Sequence, residues 1–206
     1  MTAQLTPRPP TSRTGWPVLR APKWMLPGAV VLVAGLAVAA WPHQPSNAER
    51  VSDLRSVVSA LNTGIESCAG GVTESLTALR EIQAGTSHDV STGARIATDG
   101  AANCSPANSM PMDDLVEYQV PGSLASFHLD TTVNDVVTWG FPLAQRVQTD
   151  VASILTASSA AAVASATAAL HKDQAALDAQ RAKIDAALGA ANRALSAHVP
   201  PPTLPS

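Results

Sequence analysis

The sequence predicts an all-α fold: a single N-terminal transmembrane helix followed by an antiparallel, about four-helix, extracytoplasmic bundle with one intrachain disulfide. Three observations carry this expectation. Hydrophobic residues make up 46% of the 206 but aromatic ones only 3%, so a core must come from Ala, Val, Leu and Ile, which suit slender, closely packed helices. Beyond residue 50 the apolar positions recur at steps of three and four, the period of a helix stripe. The only two cysteines, Cys68 and Cys104, are equidistant from an expected turn near residue 86.

Residues 1–23 are rich in Pro, Thr, Ser and Arg and read as a disordered basic tail. Trp24 to Trp41, WMLPGAVVLVAGLAVAAW, follows without a charge. As a helix it measures about 27 Å, close to the hydrocarbon thickness of a bilayer. A tryptophan stands at each end, where its ring settles at the headgroup level. Arg8, Arg13, Arg20 and Lys23 all precede the segment, and no acid does. The positive-inside bias then makes 24–41 a signal anchor in the plasma membrane, with a cytoplasmic N-terminus and residues 42–198 outside. The alternative is a cleaved signal peptide and a secreted protein, for which Val38-Ala39-Ala40 and Ser46-Asn47-Ala48 offer small residues. The long polar n-region favours the anchor.

From Val51 the stripe runs Leu54, Val58, Leu61, Ile65, Cys68, Val72, Ser75, Leu79 and Ile82 without changing phase across Gly70-Gly71. One helix over 48–84 is expected, about 55 Å long, capped by Ser46 or Asn47 and ended by Gly85. A second stripe of mostly small residues, Val90, Ala94, Ala97, Ala101 and Cys104, completes an αα-hairpin capped by Ser87 and closed before Pro106. Residues equidistant from its turn lie side by side, so Cys68 and Cys104 should bridge in an oxidising compartment. On this reading Gly70-Gly71 lets the second helix approach closely enough for the bond.

Residues 105–130 are irregular, with a short helix expected at Met112–Tyr118 and a type II turn at Pro121-Gly122. A third helix begins near Asp130, and Pro142 must kink or divide it. After a break at Ser158-Ser159, a last helix over 160–197 carries Val163, Thr167, Leu170, Gln174, Leu177, Arg181, Ile184, Leu188, Ala191 and Leu195 on its seam. Residues 199–206, VPPPTLPS, read as a Pro-rich disordered tail.

Chemistry has few candidates. Asp113, Glu117, Tyr118, His128 and Trp139 form the one neighbourhood where acids, a histidine and aromatics gather, a candidate ligand region. Ordinary structural roles are the favoured account of them: acids opening a helix and aromatics filling a satellite core under a loop. No hydrolase elbow, zinc-protease motif, phosphate loop or dinucleotide fingerprint occurs, so no enzyme, cofactor or metal is expected. Beyond residue 41, nine basic side chains face 16 acidic ones, which argues against nucleic acid. The bilayer is the expected partner, together with another envelope protein or a second copy. The favoured reading is an interaction or scaffolding module, because Gln174 and Arg181 interrupt the last seam as register-setting polar residues do. The alternative is a ligand-binding, sensor-like module.

Overall fold

The computed structural model describes residues 44–86 and 89–205. Their regular structure is entirely helical: α1 (Asn47–Gln83), α2 (Val90–Asn103), α3 (Met110–Val116), α4 (Leu129–Thr138), α5 (Gln145–Thr156) and α6 (Ala160–Leu195). Short 3-10 turns lie at Pro106–Asn108 and Gly122–Phe127, and a wide π-type turn at Trp139–Ala144 joins α4 to α5. The expected tail 1–23 and membrane span 24–41 lie outside the described residues, as does the expected cap Ser87. Among the described residues no helix is long and apolar enough to cross a membrane.

α1 starts on a capping box, in which the Ser46 hydroxyl accepts from the Glu49 amide at 3.2 Å and the Glu49 carboxylate accepts from the Ser46 amide at 2.6 Å. It passes straight through Gly70-Gly71 and ends before Gly85, whose φ of +71° is open to a residue without a β-carbon. The expected stripe is buried from Leu54 to Leu79, widened by Val57, Gly64, Gly71 and Leu76. The widening follows from the neighbours: α1 touches α2, α3 and α5, so more than one seam is covered.

Asp89 caps α2, its Oδ1 accepting from the amides of Ser91 at 3.0 Å and Thr92 at 3.1 Å. Hydrogen bonds from the Thr92 and Ser91 hydroxyls, added to those amides, hold this carboxyl well below its ordinary pKa. Pro121-Gly122 forms no type II turn, because Gly122 opens a 3-10 helix and does not take positive φ. Pro142 divides the third helix as expected. Phe141, the residue before it, leaves the helical region for φ −130°, ψ 116°, and the Phe141–Pro142 peptide is cis. Ser159 accepts from the Ala162 amide at 3.2 Å to start α6.

α1, α2, the divided α4–α5 rod and α6 pack as successive antiparallel neighbours: Gly71 meets Gly100 and Gly93 meets Ala78, Gly93 meets Leu155 and Gly100 meets Gln148, and Arg146 meets Asp173 while Ile154 lies near Leu170. Gln145 bonds Ala101 across α2 and α5, Gln180 bonds Asp135 across α6 and α4, and Asn47 bonds Leu195 across α1 and α6. One continuous core of aliphatic side chains surrounds Trp139, the largest wholly buried residue.

The expectation of a disordered tail at 199–206 is corrected. Proline stops the helix, but the chain then folds back so that Val199 and Leu204, each 6% exposed, join the same core. The Asn192 amide group anchors the return, donating to Val199 O at 2.8 Å and accepting from Val199 N at 3.0 Å. The bundle therefore continues beyond 198.

Candidate functional site

α1 and α2 cross in close contact. Cys68 and Cys104 are bonded, with Cα atoms 4.6 Å apart, and both are wholly buried. A thiol cannot reach these sulfurs without opening the bundle, so the bond is structural rather than a redox site. The two glycines of the first helix have different surroundings. A β-carbon on Gly71 would sit 2.7 Å from Gln148 Oε1 and 2.9 Å from the Cα of Gly100, whereas one on Gly70 would meet open space. Only Gly71 serves the close approach, and its true partner is Gly100.

Sequence reasoning missed Gly100, although the signal was present. Gly71 and Gly100 are equidistant from the same turn that pairs the cysteines, and Gly93 faces Ala78 about the same centre. Gln148, from α5, was missed as well. Its buried amide donates from Nε2 to Cys104 Sγ at 2.9 Å and Ala144 O at 3.3 Å. Its Oε1 has no N–H or O–H donor and lies against the Cα groups of Gly71 and Gly100. Weak Cα–H···O contacts are the compensation this geometry offers, worth about 0.5–1 kcal/mol each.

The five residues of the expected ligand region do not converge. Asp113 and Glu117 are exposed on and just after α3, and His128 is exposed at a left-handed position, φ 51°, between a 3-10 turn and α4. Trp139 is core, 0% exposed, and walls no opening. Tyr118 alone lines a hollow, of about 430 Å³, with Asp114, Leu115 and Pro111 facing Ser59 and Thr63 of α1. Burial and, less strongly, the charge of Asp53 raise the Tyr118 pKa. Asp53 in turn accepts from the Ser123 hydroxyl.

A second acidic locus joins α5 to α6. Arg146 bridges Asp173 at 3.2 Å, while Asp150 beside them has a buried Oδ2 without a hydrogen-bond partner. Burial, then the charge of Asp173, pushes the Asp150 pKa up, and Arg146 opposes this only in part. Among the described residues no three His, Cys, Asp or Glu side chains converge as a metal site would need.

Two larger grooves flank α1. One, of about 540 Å³, runs beside Thr203, Leu204 and Pro205 over Asn62, Glu66 and Gly70. The other, of about 550 Å³, lies near the hairpin end between Leu76, Leu79, Ile154 and Leu170, rimmed by Arg80 and His171. These surfaces can accept side chains or an extended chain; neither presents a nucleophile paired with a base. No protein-family model, curated protein or solved structure matches this chain.

Proposed function

We propose that this chain is a single-pass membrane protein whose helical bundle acts as an interaction or scaffolding module on the outer side of the membrane, within the cell envelope. The uncharged, tryptophan-bounded stretch 24–41 and the basic residues before it support the anchor. One observation carries the module reading: α6 begins well before its packing does. Every residue from Ala160 to Ser165 is exposed, Val163 at 37%, and the first buried residue is Leu170. The seam that holds Leu170, Leu177, Ile184 and Leu188 in the core thus extends for about two turns with little cover from this chain, beside the groove at Leu76 and Leu79. An apolar helical stripe of this kind is what helix-in-groove recognition uses.

The test places a photoreactive side chain at Val163 of the full-length protein in its membrane, with Asp178 as an exposed control. An adduct with a second polypeptide from Val163 and none from Asp178 is the expected result. Monomer alone at both positions would remove the reading. Sequencing the N-terminus of the mature protein distinguishes the anchored from the released form.

A further inference from the structure

The groove near the hairpin end sorts its lining by chemistry. Leu76 and Leu79 of α1, Ile154 of α5 and Leu170 of α6 make a buried apolar floor, and Arg80 and His171 stand on the rim. It stays open because α6 places Thr167 and Gln174 on the seam here. Further along the same helix Leu177, Ile184 and Leu188 are buried and close the space.

The charge around this groove is one-sided. Among the described residues no carboxylate lines it, and none pairs with Arg80. Glu74 and Glu81, from the same stretch of α1, line a separate hollow against Ile96 of α2. Asp173, from the same stretch of α6, is bonded to Arg146. Arg80 is also held in place: its Nε donates to Leu76 O and its Nη2 to Thr77 Oγ1, each at 3.2 Å. The remaining N–H groups of the guanidinium are left to take an anion, and a side chain already fixed loses less freedom on doing so.

We propose that this groove binds a single-chain amphiphile with an anionic head, a free alkyl carboxylate, its head on Arg80 and His171 and its chain over the four aliphatic side chains. A hollow of about 550 Å³ has the size of a small-ligand site, and an apolar floor with a few polar groups at the edge is the usual build of one. Its α1 wall, residues 76–83, is about 10 Å long, which suits a chain of medium length. The inference goes beyond the interaction-module reading and needs no partner at Val163.

The probe is decanoic acid carrying a diazirine, photolysed with the full-length protein in lipid nanodiscs, with adducts mapped by mass spectrometry. Adducts should concentrate on the peptides holding residues 76–83 and 167–174. Unlabelled decanoate should suppress them at about a tenth of the concentration that decanol needs, because the alcohol lacks the charge that Arg80 meets. Shortening the competing carboxylate should weaken it stepwise, since a fully buried methylene is worth about fourfold in affinity. Arg80→Gln should cut the yield about tenfold while Arg80→Lys keeps most of it, and Thr167→Trp, which fills the groove, should abolish it. Adducts spread evenly over the surface, equal competition by decanol, or an Arg80→Gln variant labelled like the wild type overturns the proposal. Competition by an anionic two-chain phospholipid as effective as decanoate would assign the groove to membrane lipid and also overturn it. Should a variant lose its helical circular dichroism, the competition series on the wild type still decides. A failed crosslink at Val163 leaves every one of these readouts intact, so the two readings fail separately.

Discussion

Gly70 and Gly71 are neighbours in one helix, yet alanine should change stability in opposite directions at the two positions. At Gly70 the new methyl enters open space, so only the helix-propensity gain remains, about 1 kcal/mol. At Gly71 the same gain is set against a methyl 2.9 Å from the Cα of Gly100, where ordinary contact begins at 3.4 Å. The helices must separate by several tenths of an ångström. They cannot do so freely, since the disulfide three residues away holds the Cys68 and Cys104 Cα atoms at 4.6 Å. Overpacking of this kind costs about 1–3 kcal/mol, leaving Gly71→Ala destabilised by about 1–2 kcal/mol once the propensity gain and the displaced Gln148 contact are set against it. Urea denaturation followed by circular dichroism, with the disulfide intact, should therefore place the two variants on opposite sides of the wild-type midpoint at unchanged slope. Gln148 separates the two crossing glycines further. Truncating it to alanine should rescue Gly100→Ala, whose methyl overlaps the Gln148 amide oxygen and meets the Gly71 Cα only at 3.2 Å, more than Gly71→Ala, whose methyl meets the Gly100 Cα at 2.9 Å. Two alanines, at Gly70 and Gly71, that stabilise equally would refute the close-approach argument.

Other expectations follow from the same packing. Replacing both cysteines by alanine opens a crosslink spanning 36 residues and should lower stability by about 3.8 kcal/mol in the chain-entropy estimate; a loss below about 1 kcal/mol by urea denaturation would show that the crossing holds without it. Asp150 has a pKa raised above its ordinary 3.8 by burial and Asp173, so its favourable contribution is complete below that value and lost as pH rises through the folded pKa. Asp150→Asn should accordingly raise the denaturation midpoint at pH 7 and leave it unchanged near pH 3; a lower midpoint at pH 7 would mean that the attraction of Arg146 dominates. Asp89 has the opposite sign: its depressed pKa gives stability present above 3.8 and lost on acidification. Asp89→Asn, which keeps the cap but not the charge, should reduce the acid dependence of the midpoint, and an identical pH profile would remove this assignment.

Helix positions were largely legible in the sequence because their determinants are local. The stripe from Leu54 to Leu79, the stop at Gly85, the division at Pro142 and the restart at Ser159 each depend on residues within a turn or two. The disulfide was legible for a related reason, since a hairpin converts equal distance from its turn into spatial adjacency. The candidate site was much less so. Asp113, Glu117, His128 and Trp139 are near one another along the chain, but the segment connecting them turns several times and disperses them, leaving Tyr118 alone beside a hollow. On the last helix the sequence placed Arg181 on the seam; in the bundle it is Gln180 that is buried, held by the Asp135 carbonyl at 2.9 Å and its carboxylate at 2.7 Å.

By itself, then, the sequence determined that this protein is helical, where its helices start and stop, and which cysteines meet. Tertiary structure alone decided that Gln148 wedges between Gly71 and Gly100, that α6 leaves its first turns uncovered, and that the proline-rich tail returns to the core. The physical reason is that periodicity and capping are properties of neighbours along one helix. Which part of a stripe is covered depends instead on the lengths and kinks of other helices, and a tail docks only once Asn62, Arg181 and Asn192, from two helices, stand together.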